Sequence, residues 1–171
     1  MTRTFLTVSH TVPTDGAWGL DDLAGGAGRV DVLCRNVQAA LCWSHDLRAD
    51  TDIVLVFADP DRPTAVRIRG AHVRHLNPDE RSTAARIRNA LKARPEDAWW
   101  EDVEPGIQVA PFTLTETLED LDGTVVVPTY GVANAQAGVG TPAALFPDPR
   151  AVGLPAPARL AGVPVLASER I

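Results

Sequence analysis

Apolar positions recur along Gly28 to Asp50 (GRVDVLCRNVQAALCWSHDLRAD) at Val30, Leu33, Cys34, Val37 and Leu41. This i, i+3, i+4, i+7, i+11 stripe predicts a helix with one face in a core. Arg29, Asp31 and Arg35 fall off the stripe, and Asp31 and Arg35 stand at i, i+4, where helical side chains meet. The helix runs to about Trp43, and a polar turn follows in which Ser44, His45, Asp46, Arg48 and Asp50 crowd together. Upstream, Thr4 to His10 alternates as a first strand does, and a loop of Gly, Pro and Asp leads on to Gly28. Thr51 to Phe57 (TDIVLVF) is a continuous apolar run with acidic flanks, the mark of a central strand in a parallel α/β sheet.

Asp59, Pro60, Asp61 and Pro63 make a turn. From Ala65 to Arg69 the chain alternates, with Ala65, Arg67 and Arg69 on one face and Val66 and Ile68 on the other, as in an edge or one-sided strand. Asn77-Pro78-Asp79-Glu80 predicts a helix start, with Asn77 as the cap, Pro78 in the first turn and two carboxylates at the positive end of the dipole. That helix reaches about Ala93. It turns Ala84, Ile87 and Leu91 inward, spreads Arg81, Arg86, Arg88 and Lys92 over the rest, and is stopped by Pro95. A short acidic segment with Trp99 and Trp100 precedes a strand at Ile107 to Val109, a helix at Thr113 to Leu121 and a strand at Thr124 to Val127. From Gly123 onward the chain holds 7 of its 14 prolines and 6 glycines. There Ala133 to Gly140 reads as loop, and Ala143 to Phe146 and Val163 to Leu166 as short strands. The pattern predicts one α/β domain over residues 1–171, with a core in 1–130 and a divergent remainder in 131–171.

Length and composition leave that picture intact: 171 residues, 45% hydrophobic and 22% charged, suit one globular domain. No apolar run approaches the roughly 18 residues of a membrane span, and MTRTFLTVSH does not resemble a signal peptide, so a cytoplasmic protein is expected. Cys34 and Cys42, eight apart, are expected as free thiols, and no metal site is predicted. Charge changes the picture more. The net charge is −6, yet residues 28–94 hold 12 basic and 8 acidic side chains, against 4 and 14 elsewhere. A basic middle suits a polyanion. Because 15 of the 16 basic residues are Arg, a solvated arginine-rich surface is the better reading of charge alone.

Common catalytic motifs are absent: there is no Gly-x-Gly-x-x-Gly, Walker loop, His-Glu-x-x-His or Gly-x-Ser-x-Gly. Ser44, His45 and Asp46 are adjacent and so cannot face one another as a hydrolytic triad must. His72 and His75 beside Arg74 suit a metal or a phosphate, though a solvated surface pair explains them more simply. Trp99 and Trp100 read as core or interface before base-stacking platforms.

Gly28 to Arg35 spells Gly-Arg-(apolar)-Asp-(apolar)-Leu-Cys-Arg, Ser44 to Asp50 spells Ser-His-Asp-(apolar)-Arg-x-Asp, and Pro78 to Arg81 spells Pro-Asp-Glu-Arg. With Pro105-Gly106-Ile107, these motifs stand in the order found in the archaeal-type tRNA pseudouridine-54 N1-methyltransferase family, the TrmY group of the SPOUT superfamily. Residues 1 to about 130 resemble it. The resemblance implies an α/β SPOUT-like fold with a mainly parallel sheet and flanking helices, S-adenosylmethionine as methyl donor, and a homodimer acting on the T-loop of tRNA. It also implies that Arg29, Arg35, Arg48 and Arg81 contact RNA phosphates or order the site, and that Asp31 and Asp46 serve as catalytic carboxylates near the base. N1 of pseudouridine is a weak nucleophile until its proton leaves, which a carboxylate or ordered water assists. From the residues alone, Asp31–Arg35 and Asp46–Arg48 serve equally well as structural pairs.

The last third departs from the family pattern. The family's Leu-Gly-Asp-His cofactor loop corresponds to Leu145-Phe146-Pro147-Asp148-Pro149, where Leu145 and Asp148 remain as cofactor-binding candidates and proline replaces the glycine and the histidine. Val163 to Ser168 corresponds to the strand that enters the second cofactor loop, and the chain stops at Ile171, before a knot-closing helix. The expectation is therefore an unknotted SPOUT-like protein with lost or impaired S-adenosylmethionine binding, possible binding of tRNA, and an incomplete family dimer face that leaves a monomer or an altered dimer. The alternative is an active S-adenosylmethionine-dependent RNA methyltransferase with a shortened cofactor site.

Overall fold

The computed structural model describes residues 3–44, 46–121, 125–128, 158–160 and 163–168. The chain forms two compact units, Met1–Thr113 and Leu114–Ile171. The first unit is built from β1 (Arg3–Ser9), α1 (Val30–Leu41), β2 (Cys42–Trp43), β3 (Asp46–Leu47), β4 (Thr51–Phe57), β5 (Thr64–Arg69), α2 (Glu80–Lys92), β6 (Glu101–Glu104) and β7 (Ile107–Ala110). Five strands form one sheet in the order β1-β4-β5-β7-β6, and β2 and β3 form a small hairpin.

The α/β class holds, and loop length decides the pairing within it. The chain between β1 and β4 is long enough to cross over through α1, and these two strands are parallel, from Arg3 opposite Thr51 to Ser9 opposite Phe57. Residues 58–63 are too short for a crossover, so β4 and β5 pair antiparallel. The pairs β5–β7 and β6–β7 are antiparallel too. The sheet is thus mixed, with its expected parallel character confined to β1–β4.

β4 is central, as its apolar run predicts, with every residue except Asp52 buried. β5 lies inside the sheet between β4 and β7, which corrects the edge reading. Its alternation has another cause. Arg67 and Arg69 are half-buried on the polar face, and the Arg67 guanidinium sits 4.1 Å from the ring centre of Trp100. Trp100 in turn meets Phe112 edge-on at 5.3 Å. Long arginine stems can cover a sheet face while their heads stay polar, so a polar stripe does not mark an edge. The true edge at that side is β6, the acidic segment, which joins β7 through Pro105-Gly106. Gly106 has φ +77, and a Cβ there would lie 2.2 Å from the Val73 nitrogen.

α1 buries Val30, Leu33, Cys34, Val37, Ala40 and Leu41, the predicted stripe plus one alanine, and, off the stripe, Asp31. The apolar ones face the core and pack with Ile87 and Leu91 of α2 and with Ile53, Leu55, Phe57, Val66, Ile68, Ile107 and Val109 of the sheet. The start of α2 corrects the predicted cap. Asp79, not Asn77, is the cap: it has extended backbone, and its carboxylate accepts from the Ser82 N–H at 2.7 Å. Asn77 instead accepts, through its carbonyl, from the Asp79 N–H in a preceding turn.

The second unit comprises α3 (Leu114–Asp120), β8 (Val125–Pro128), β9 (Ala158–Leu160) and β10 (Val163–Ser168). Its sheet runs β8-β10-β9, with β8–β10 parallel and β9–β10 antiparallel. β9 has no counterpart in the sequence reading. The predicted loop at Ala133–Gly140, the predicted strand at Ala143–Phe146, and Leu145, Asp148 and His45 lie outside the described residues. No described helix is long and apolar enough to cross a membrane.

Candidate functional site

Two consecutive left-handed residues, Gly28 (φ 64) and Arg29 (φ 71), turn the chain into α1. A Cβ on Gly28 would lie 2.0 Å from the Thr11 carbonyl oxygen, so only glycine fits there. Arg29 is the N-cap residue, but its side chain makes no cap bond, and the first turn carries Asp31. Asp31 is only 7% exposed. It accepts from Arg29 Nε at 3.0 Å and Arg29 Nη2 at 3.2 Å, and it also accepts from Arg35 Nη2. Arg35 Nε donates to the Asp31 carbonyl at 3.3 Å and lies 3.5 Å from Glu80 of α2. One carboxylate therefore holds two guanidiniums side by side, and one of these ties α1 to the start of α2.

The electrostatics follow from that contact. The Arg29 hydrogen bond, with further help from the charges of Arg29 and Arg35, holds the Asp31 carboxyl below the usual carboxylate range against the opposing effect of burial. Asp31 raises Arg29 in return. Burial, followed by the charges of Glu80, Asp31 and Asp79, pushes the Cys34 thiol up to about 12, so it stays neutral. Arg29 and Arg35 nevertheless keep 59% and 55% of their side-chain surface in solvent. What the junction exposes is therefore the two guanidiniums, with the half-exposed Glu80 carboxylate beside Arg35.

Arg81, one residue after Glu80, pairs with Asp21 of the β1–α1 loop at 3.1 Å, an exposed contact. Asp46 and Arg48 belong elsewhere. The Asp46 carboxylate accepts from the Leu47 N–H at 2.7 Å. Arg48 anchors the hairpin to α1 through its backbone N–H, which donates to Leu41 at 2.8 Å, and its guanidinium lies 5.8 Å from the ring centre of Trp43. Trp43 is 69% exposed. The expected Asp46–Arg48 ion pair is therefore not made among the described residues. Asp31 is in the first turn of α1, whereas Asp46 lies beyond the last turn, in the β2–β3 hairpin.

The structure thus brings Arg29, Asp31 and Arg35 together, adds Glu80, sets Arg81 beside them in sequence, and places Asp46 and Arg48 in a separate group with Trp43. Glu80, Asp21 and Trp43 went unnoticed as site residues. The carboxylates read as ordinary helix-start and loop acids, and nothing in the local pattern shows that Trp43 faces solvent.

An open depression of about 490 Å³ lies beside the β6–β7 turn, lined by charged residues such as Arg69, Arg74, Asp102 and Glu104 and by Val103, Pro105 and Gly106. Charged side chains share its walls with Val103 and Pro105, and it lies open to solvent rather than enclosing a ligand as a nucleoside cleft does. Among the described residues, no three His, Cys, Asp or Glu side chains gather to hold a metal.

Comparison with known proteins then sets this geometry in a lineage. Residues 2–142 match the family described as "Putative SAM-dependent RNA methyltransferase". The chain is 46% identical over 128 residues to a tRNA (pseudouridine(54)-N(1))-methyltransferase of Haloferax volcanii, covering 72% of this chain and 63% of the relative. It is 44% identical over 128 residues to the enzyme of that name from Haloarcula marismortui, with the same coverage. Against the one from Methanocella arvoryzae it is 36% identical over 124 residues, 72% of this chain and 65% of the relative. The match therefore spans slightly less than two thirds of these relatives' length.

Proposed function

Because the chain belongs to this RNA methyltransferase family, we propose that it engages the pseudouridine-bearing T-loop of tRNA through the Arg29–Asp31–Arg35 junction, with impaired binding of S-adenosylmethionine. The observation that carries this reading is the buried carboxylate of Asp31, which fixes two half-exposed guanidiniums side by side. Planar guanidiniums held in place suit phosphate oxygens better than mobile lysines do, because their donors come in a rigid fork. Arg81, paired with the exposed Asp21, adds a further guanidinium one residue after Glu80.

In this reading Asp31 is a positioning residue. Its oxygens are engaged by two cations and its pKa is lowered, which makes it a poor proton acceptor. Loss of the N1 proton from pseudouridine needs a freer group, and the exposed Asp46 is the candidate. Trp43 beside it presents a ring against which a base can stack, and Arg48 holds that ring.

S-adenosylmethionine supplies the methyl group in the family reaction. Leu145 and Asp148 are the residues proposed to meet it, and Pro147 and Pro149 replace a flexible glycine and a donor histidine of the family loop. That loss of backbone freedom and of a hydrogen-bond donor underlies the proposal of impaired binding. The alternative, an active methyltransferase, is favoured by the 46% identity to a named enzyme.

Titration calorimetry with S-adenosylmethionine, together with fluorescence anisotropy on a tRNA transcript containing pseudouridine, separates the two readings. The expected outcome is saturable tRNA binding with S-adenosylmethionine weaker than about 1 mM, a free energy of only ~4 kcal/mol. Micromolar cofactor binding with methyl transfer to the tRNA would establish the active enzyme instead. No tRNA binding would sink the RNA reading altogether.

A further inference from the structure

The C-terminal end of α2 carries a second cationic group, made of Arg62, Arg88, Lys92 and Arg94. Arg88 and Lys92 stand at i, i+4 on one helix face, and the Gly16 backbone packs so closely on them that a Cβ there would meet Arg88 O and Lys92 Cγ at 2.9 Å. Arg62 reaches in from the β4–β5 loop, its Nη2 donating to the Leu91 carbonyl at 3.5 Å. Arg94 Nε donates to the Pro63 carbonyl at 3.1 Å. Arg62, Arg88 and Arg94 are half-buried and Lys92 is exposed.

Among the described residues none of these four cations makes an ion pair, nor do Arg48 and Arg74, whereas Arg3, Arg29, Arg35, Arg69, Arg81 and Arg86 all do. The nearby acid Asp59 feels the charge of Arg62 but makes no ion pair with its guanidinium among the described residues. It accepts from the Asp61 and Arg62 backbone N–H groups and from the Thr14 hydroxyl. Burial and then the charge of Arg62 push Arg94 down, and Glu96 offsets this only in part. Capping of the helix end accounts for the bonds to Leu91 and Pro63. It does not account for the Nε atoms of Arg62 and Arg88, which are buried with no partner. Buried donors without acceptors and clustered like charges both cost stability, and a bound anion relieves both.

We infer that Arg62, Arg88, Lys92 and Arg94 form a second phosphate-binding surface, which takes the sugar–phosphate backbone of the RNA engaged at the Asp31 junction. The inference rests on the RNA reading above for its partner. The loops after β1 and β4 frame this surface, at the carboxyl ends of the parallel pair, where open α/β sheets place their ligands. From Arg81 to Lys92 the helix rises about 16 Å, room for several successive phosphates of one RNA strand. Contacts of this kind position a nucleic acid without reading its bases.

The test compares the intact chain with the triple variant Arg62→Gln, Arg88→Gln, Lys92→Gln and with the exposed single variant Lys92→Glu, which keeps the test valid if the triple variant does not fold. Anisotropy is measured on the tRNA transcript and on a single-stranded oligo(U) between 50 and 300 mM KCl, with thermal melting alongside. Each lost phosphate contact lowers the slope of log K against log salt by about 0.7–0.9. The expected result is a slope shallower by about 2 in the triple variant and by roughly 1 in Lys92→Glu, read at a temperature at which thermal melting shows each variant folded. Unchanged slopes on both RNAs, or binding of neither RNA by the intact chain, would overturn the inference. If the slope falls but the tRNA binds no better than oligo(U), and Arg29→Ala with Arg35→Ala changes nothing, this surface stands and the T-loop reading falls.

Discussion

A carboxylate that accepts from two guanidiniums at once is better at holding them than at taking a proton. Asp31 is in that position, and its chemistry decides how Arg29 and Arg35 can act. Asp31→Asn keeps the shape but leaves a nearly buried amide facing two cations, so a loss of about 1–3 kcal/mol is expected in denaturant unfolding at pH 7. Because the folded-state pKa is lowered, this stabilisation is present above the ordinary carboxylate range and is lost as pH falls through the folded value. The intact chain and the variant should therefore converge in stability on acidification, and a gap that persists below both values would show that the ion pairs are not its source. The sequence showed the i, i+4 spacing of Asp31 and Arg35. It did not show that Asp31 is buried, that Arg29 folds back onto it, or that Glu80 arrives from another helix.

At the scale of elements, period and composition located α1, β4 and α2 well, because each has one face or two faces in the core. They placed the ends less well. Asn77 and Asp79 are equally good caps by residue type, and only backbone geometry separates them: Asp79 is extended and bonds Ser82. Asp79→Ala should lower the melting temperature measurably through loss of the cap, while Asn77→Ala should leave it nearly unchanged. Equal losses in thermal melting would argue against this cap. β6 was hidden for a different reason. A four-residue acidic strand carries no apolar alternation, and it is held by its pairing with β7 and by the ion pair of Glu104 with Arg86 at 2.9 Å.

Across the whole molecule, the two cationic groups lie at the start and the end of α2, so that helix sets the spacing of the proposed RNA contacts. Arg29→Ala with Arg35→Ala should weaken tRNA binding by about tenfold or more, ~1.4 kcal/mol, while lowering the melting temperature only slightly, since both side chains are mostly in solvent. A large loss of melting temperature with unchanged binding would make them structural instead. By itself the sequence determined the α/β class, the family, and the residues of three ordered motifs, since these depend on local periodicity and on residue identity. Only the tertiary structure decided which of those residues meet. It put β5 inside the sheet, paired Arg48 with Trp43 rather than Asp46, and gathered four unpaired cations from a loop and a helix end. The physical reason is that burial, ion pairing and strand order arise from contacts between distant segments, and no local pattern encodes them.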